Sequence, residues 1–202
     1  MTKQIAIMVE GATEQALKPV LLKYLTSRLP GQMPRLKFIS KDGRLPVGDK
    51  LKRDVTRLLA DGHDAVIALT DVYTGTMPPD FKDASDAKQK MRDWVGSEAR
   101  FHPHAAQHDF EAWLLPYWAR IQKRVGVDRS TPFPDPEAVN HGHPPSKQLD
   151  VLFRTGSKSK RRYNKVLDAT AILRDQDLKI AAAQCPELDA FLATILTIAT
   201  SP

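Results

Sequence analysis

The chain has 202 residues, with 42% hydrophobic and 27% charged side chains. These are the proportions of a soluble globular protein large enough to bury one α/β core with a modest extension. Thirty Lys and Arg against 24 Asp and Glu give a net charge of +6, which favours polyanionic partners without requiring nucleic acid. One cysteine, Cys185, excludes an internal disulfide and a thiolate zinc knuckle. No basic segment leads into a long apolar one, so a cytoplasmic protein without a signal peptide or membrane span is expected.

In chain order, the first element is QIAIMV. Ile5 to Val9 is an unbroken apolar run that ends at Glu10 and Gly11. Such a run reads as a strand buried on both faces, as in a parallel sheet covered by helices. Leu17, Val20, Leu21, Tyr24 and Leu25 then recur at helical spacing, predicting a helix from about Thr13 to Arg28, with Pro19 in its second turn. RLKFIS suggests a second strand, and Lys41 to Gly48 a loop. Asp49 to Ala60 reads as a helix with a basic stripe of Lys50, Lys52, Arg53 and Arg57, either a solvated helix face, the preferred reading, or a phosphate-facing stripe. A third strand, Ala65 to Leu69, ends at Thr70 and Asp71.

The segment from Val72 to Lys82 is irregular, and Ala84 to Glu98 reads as a helix. Arg100 to Gln107 reads as a short strand whose Pro103 favours a sheet edge or an early break. Phe110, Trp113, Leu114 and Trp118 give the next helix its apolar stripe, interrupted by Pro116. From Gly126 to Pro145 the chain lacks periodicity and is rich in proline, as in a long connecting loop. Ser146 to Phe153, Asn164 to Leu173 and Glu187 to Ile198 read as helices. The alternation predicts an α/β protein with a mainly parallel sheet of about four strands flanked by helices (residues 1–125). A C-terminal helical extension (126–202) packs on it as one structural unit.

In open parallel sheets a ligand sits outside the carboxyl ends of the strands. Two strands ending in Glu10 and Asp71 would bring two carboxylates together there if they are neighbours, and paired carboxylates suit a hard divalent ion. Glu14 in the first turn of the following helix either favours the helix dipole or serves as an outer metal ligand. Asp109 and Glu111 lie at another strand-to-helix junction. Asp109 reads as a site residue or an N-cap, and Glu111 is the acid of the two expected to face the site. The histidines, His102 and His104 with His108, then His141 and His143, lack the cysteine partners or the His-Glu-x-x-His helix of a zinc site.

Six segments carry a resemblance: VEGATE (Val9 to Glu14), DVYTG (Asp71 to Gly75), HDFEAWL (His108 to Leu114), PPSKQL (Pro144 to Leu149), YNKV (Tyr163 to Val166) and CPELDAFL (Cys185 to Leu192). In this order they resemble the small Toprim-like family DUF4276, over nearly the whole chain. The resemblance implies a Toprim-like Rossmannoid core and a Mg²⁺- or Mn²⁺-dependent nuclease. In that enzyme Glu10 is acid/base or ligand, and Asp71, Glu111 and Glu14 are metal ligands. Gly11, Tyr73, Gly75 and Asp109 form the site loops, and His108 would bind phosphate or donate a proton to the leaving group. Toprim domains commonly carry Asp-x-Asp where this chain has Asp71, Val72 and Tyr73, which implies a one-metal site, a replacement acid from elsewhere, or a degenerate site. The resemblance also implies prokaryotic phage defence, an ABC-type or OLD-like ATPase partner and homo-oligomerisation.

Lys147, Arg154, Lys158, Lys160, Arg161, Arg162 and Lys165 form a dense cationic region suited to a phosphate backbone, whether DNA or RNA. There is no Gly-x-x-x-x-Gly-Lys-Ser/Thr loop, so ATP hydrolysis by that route is not expected, and no Gly-x-Ser-x-Gly elbow is present. The alternatives to a nuclease are a non-catalytic module that binds nucleic acid or an ATPase, and a small RNA-processing Toprim enzyme.

Overall fold

A computed structural model describes residues 2–11, 13–41, 43–73, 75–76, 78–127, 133–138 and 142–201, and for Glu14 the backbone only. His141 and the Glu14 side chain therefore lie outside the described residues. Four strands, β1 (Gln4–Val9), β2 (Arg35–Ser40), β3 (Ala65–Asp71) and β4 (Phe101–Ala106), form one all-parallel sheet in the order β2-β1-β3-β4. Pro103 can sit within β4 because that strand is at the edge, where a missing N–H breaks no ladder on the outer side.

Side chains alternate across β1 and sort the helices onto two faces. Ile5, Ile7 and Val9, with Ile67 and Leu69, face α1 (Leu17–Thr26) and the C-terminal half of the chain. Ala6 and Met8, with Val66 and Ala68, face α2 (Asp49–Ala60) and α3 (Ala84–Val95). Because parallel crossovers are right-handed, the move from β1 outward to β2 puts its helix on one face. The moves back to β3 and on to β4 put theirs on the other. The strand order thus reverses direction between β1 and β3, and a crevice opens at their carboxyl ends.

The first face carries an unusual buried segment. Phe110–Tyr117 forms a 3₁₀ helix rather than the α-helix the sequence suggests. It is followed by α4 (Trp118–Val125), and only Pro116 of the 3₁₀ segment escapes full burial. Proline lacks the N–H of an α-helical ladder, and the tighter winding lets Phe110, Trp113 and Leu114 all point into the core. Around this segment pack α5 (Pro145–Thr155), α6 (Lys165–Leu173), α7 (Leu178–Ala182) and α8 (Pro186–Thr200), with Phe153, Ile172, Leu188 and Phe191 in the same apolar core as α1 and β1.

Other departures from the expected elements have local causes. A 3₁₀ turn (Glu14–Ala16) precedes α1, so Pro19 falls in the first turn, where its missing N–H costs nothing. Helix α3 stops at Val95 because Gly96 takes φ 88°, a conformation that only glycine adopts cheaply. The short α7 has no signature long enough to be read from sequence. Among the described residues no helix is long and apolar enough to cross a membrane.

Candidate active site

The β1/β3 adjacency decides the site. Register pairs Val9 with Leu69, so Glu10 and Thr70–Asp71 leave the sheet side by side. Glu10 is buried: its Oε1 accepts from the Thr70 hydroxyl and, at 3.2 Å, from the Asp71 N–H. Burial raises the Glu10 pKa above the usual carboxylate range. The Thr70 and Asp71 hydrogen bonds and the charges of Arg44 and Lys165 oppose that rise. The loop after β2 is tied to the same strand end, since Lys41 N–H donates to the Val9 carbonyl at 2.9 Å and Gly43 N–H to the Glu10 carbonyl at 2.7 Å.

A pocket of about 170 Å³ opens at this point, lined by Glu10, Gly11, Thr13, Gly43, Asp71, Phe110, Glu111 and Lys165. Asp71 Oδ1 accepts from the Phe110 N–H at 3.0 Å, which fixes the start of the 3₁₀ helix against β3. Glu111, in the first turn of that helix, is only 1% exposed and faces the Lys165 ammonium at 3.8 Å. Three carboxylates and one cation thus surround a single cavity. On the other side of Glu10 a smaller cavity of about 30 Å³ is walled by Arg44, Phe81, Met91 and Trp94, with Arg44 3.4 Å from Asp80.

The remaining predicted site residues lie around this centre in different ways. His108 is fully buried and holds φ 74°, and its carbonyl accepts from the Tyr73 N–H. That strained turn swings the chain from β4 into the 3₁₀ helix, so His108 shapes the junction from within. Asp109 is 1% exposed, and its Oδ2 accepts from the Ser146 N–H at 3.1 Å, which caps the first turn of α5 from a distance. Its Oδ1 is buried without a hydrogen-bond partner, and burial raises the Asp109 pKa. The Tyr73 ring centroid lies 5.4 Å from the Lys147 ammonium. Gly75 takes φ 75° in open space.

Within the basic region some cations are held in ion pairs and others, among the described residues, are not. Arg161 and Arg124 both pair with the buried Asp168, and Arg154 Nε donates to Asp150 Oδ2 at 2.7 Å. Lys158, Lys160 and Arg162 are exposed. Lys165 alone of this set lines the acidic pocket.

Several residues that shape the site were not singled out from sequence. Thr70 holds Glu10, and the signal was its place before Asp71 at the end of an apolar run. Arg44 sits in the loop that leaves β2 at the same sheet edge as Glu10. Tyr163 belongs to a recognised motif, but its inward direction could not be read. Its hydroxyl is buried, and burial together with the charge of Glu111 raises its pKa far above that of a free tyrosine.

Among the described residues, no three of His, Cys, Asp and Glu are already arranged to hold a metal ion. The donor set still fits a hard cation. Glu10, Asp71 and Glu111 offer carboxylate oxygens to one cavity, with no softer ligand lining it.

The profile of the family described as "Domain of unknown function (DUF4276)" matches residues 9–196. The chain belongs to the DUF4276 family. Among solved structures, the C-terminal region of the Burkholderia pseudomallei OLD protein superposes with a TM-score of 0.57 at 15% identity, covering 99% of this chain and 100% of that one. The C-terminal region of the Xanthomonas campestris pv. campestris OLD protein gives a TM-score of 0.44 at 12% identity, covering 95% and 97%. At such identities the likeness is one of fold, and the fold of this DUF4276 member is Toprim-like. The chain matches no curated protein.

Proposed function

We propose that this DUF4276 protein is a divalent-metal-dependent nuclease that hydrolyses phosphodiester bonds of nucleic acid. The observation that carries this reading is the convergence of Glu10, Asp71 and Glu111 on one pocket at the strand-order reversal, with Lys165 opposite. Glu10, Asp71 and Glu111 would hold Mg²⁺ or Mn²⁺. Such an ion, when bound, neutralises phosphate charge and acidifies water. The protein's own groups supply the rest. Burial raises the Glu10 pKa above the ordinary carboxylate range, the direction that favours an acid/base role for it. Lys165 reaches the pocket from the start of α6 and offers a cation to a non-bridging phosphate oxygen. Thr70 and the Asp71 N–H orient the Glu10 carboxylate.

The family resemblance supports the wider setting, in which the chain acts beside an ATPase in prokaryotic phage defence. The chain has no phosphate loop of its own, and a partner would supply the ATP chemistry. One observation favours a second reading, a binding module that does not cut: no three acids form a ready cage among the described residues, and Lys165 stands against Glu111.

Calorimetric titration with Mg²⁺ and Mn²⁺ tests the acidic centre. Wild type is expected to bind, and Glu10→Gln, Asp71→Asn and Glu111→Gln to lose binding. Absence of binding in wild type would leave the module as the reading that stands.

A further inference from the structure

A second set of cavities runs away from the acidic pocket along α1. The first, about 240 Å³, lies between Ala16, Pro19, Val20 and Lys23 on one wall and Thr170, Leu173 and Arg174 on the other. The second, about 260 Å³, continues from Val20 and Lys23 to Tyr24 and Arg28, facing Asp175 to Lys179. They share Val20, Lys23 and Asp175, so they form one groove. One helix, α6, borders both the groove and the acidic pocket, and the turn from Thr13 to Ala16 joins them. Thr13, which lines that pocket, is hydrogen-bonded to Ala16, which lines the groove, and Lys165 and Thr170 belong to the same helix, α6. The ten residues of α1 make the groove about 15 Å long.

In the Arg154–Arg162 segment Lys158, Lys160 and Arg162 are exposed, whereas two other cations are engaged. There Arg154 and Arg161 are held by Asp150 and Asp168. Lys23, Arg28, Arg174 and Lys179 line the groove, and among the described residues none of them is in an ion pair. Two acids, Asp175 and Asp177, stand among them, so the groove keeps a positive balance. The Arg28 guanidinium also lies 3.6 Å from the Tyr24 ring centroid, which presents a flat cationic face at the far end. Cations spaced along a narrow channel, with a planar stacking face, are what a flexible polyanion with aromatic bases requires. A duplex is far too wide for cavities of this volume.

We propose that the groove between α1 and α6–α7 is the track of a single nucleic-acid strand whose scissile phosphate enters the Glu10 pocket. This rests on the nuclease reading and adds the substrate class, a single strand or an unpaired end, and its direction over the surface. The strand leaves the pocket past Lys165 and runs by Lys23 and Arg174 toward Arg28.

The test is fluorescence anisotropy of a labelled single-stranded oligonucleotide over a salt series without divalent ions. Wild type is compared with Lys23→Glu/Arg174→Glu/Lys179→Glu and with a control reversal on the opposite face of the sheet, Lys52→Glu/Arg53→Glu. Thermal melts confirm that both variants fold, as exposed positions should allow. The groove variant is expected to bind at least about tenfold more weakly and to lose about 2 from its log–log salt slope, at about 0.7 per phosphate contact. The control should stay within twofold of wild type. Equal weakening in both variants would mean diffuse charge and overturn the track, as would binding of polyglutamate as tight as that of the oligonucleotide. Wild-type binding with an unchanged groove variant would overturn the track and leave the nuclease reading standing. No binding by wild type would overturn both.

Discussion

Replacing Asp168 by Asn should destabilise the protein more than any other charge-neutralising change outside the acidic pocket. Asp168 is fully buried. It accepts from Arg124 Nε and Nη2 at 2.8 and 2.6 Å, from Arg161 Nη1 and Nη2 at 2.8 and 2.7 Å, and from the Asn164 N–H at 2.8 Å. The two arginines hold its pKa below the ordinary aspartate value against the opposing effect of burial. Asparagine keeps the shape and removes the anion, leaving two guanidiniums converging on a neutral amide. Breaking a buried ion pair costs about 3–5 kcal/mol. Here the arginine side chains are 35% and 44% exposed and can rehydrate, so the low end, about 3 kcal/mol, applies. For a chain of this size that corresponds to a fall in Tm of about 6–12 °C. The loss should persist in high salt, because a buried pair is poorly screened. Asp150→Asn, which breaks the more exposed pair with Arg154, should cost less than about 1 kcal/mol. Circular-dichroism melts at neutral pH and two salt concentrations measure both. An Asp168→Asn variant within about 0.5 kcal/mol of wild type would refute the reasoning. So would a loss that high salt removes. Because Asn164 caps α6 and Lys165 begins it, the same variant should also loosen Lys165 in the pocket and reduce activity.

His104 is 6% exposed, and burial with nearby Lys88 lowers its pKa to about 4. The folded state holds it neutral while the unfolded chain protonates near 6.5, so stability is full above 6.5 and declines as pH falls toward 4. The loss is about 3 kcal/mol at most, and urea unfolding of wild type and His104→Gln across that window should show it only in wild type. Glu10 has the opposite sign. Its raised pKa means that ionisation costs stability as pH rises above the unfolded value. Glu10→Gln should therefore melt higher than wild type at neutral pH without divalent ions, while losing activity. Gly156→Ala should cost several kcal/mol by thermal melt, because its Cβ would lie 2.1 Å from the Val125 carbonyl oxygen, and backbone cannot step aside as a side chain can.

The central strands were legible because β1 and β3 are short apolar runs bounded by polar punctuation and too short for a helix of ordinary length. Pro103 allowed an edge position or an early break, and β4 takes the edge. The pairing of Glu10 with Asp71 depended on strand order, which no local pattern encodes. It follows only from where right-handed crossovers place β1 and β3. Less could be read in the C-terminal half. Phe110–Tyr117 has apolar spacing that an α-helix and a 3₁₀ helix both satisfy, and only packing against the sheet selects between them. Asp168 looks from sequence like a solvated helix acid, and Arg161 like one more member of a basic run. Their pairing requires Arg124 from another helix and a buried position that the six residues around them do not announce. The groove along α1 was silent for the same reason, since Lys23 and Arg174 belong to distant segments that meet only in the folded chain.

The most direct test of the account is cleavage of supercoiled plasmid, single-stranded DNA and structured RNA at low salt with Mg²⁺ or Mn²⁺, comparing wild type with Glu10→Gln. Metal-dependent cutting by wild type that falls at least about a hundredfold in the variant is the predicted result. Cutting that survives Glu10→Gln would contradict it, as would no cutting on any substrate even with a co-purified ATPase present.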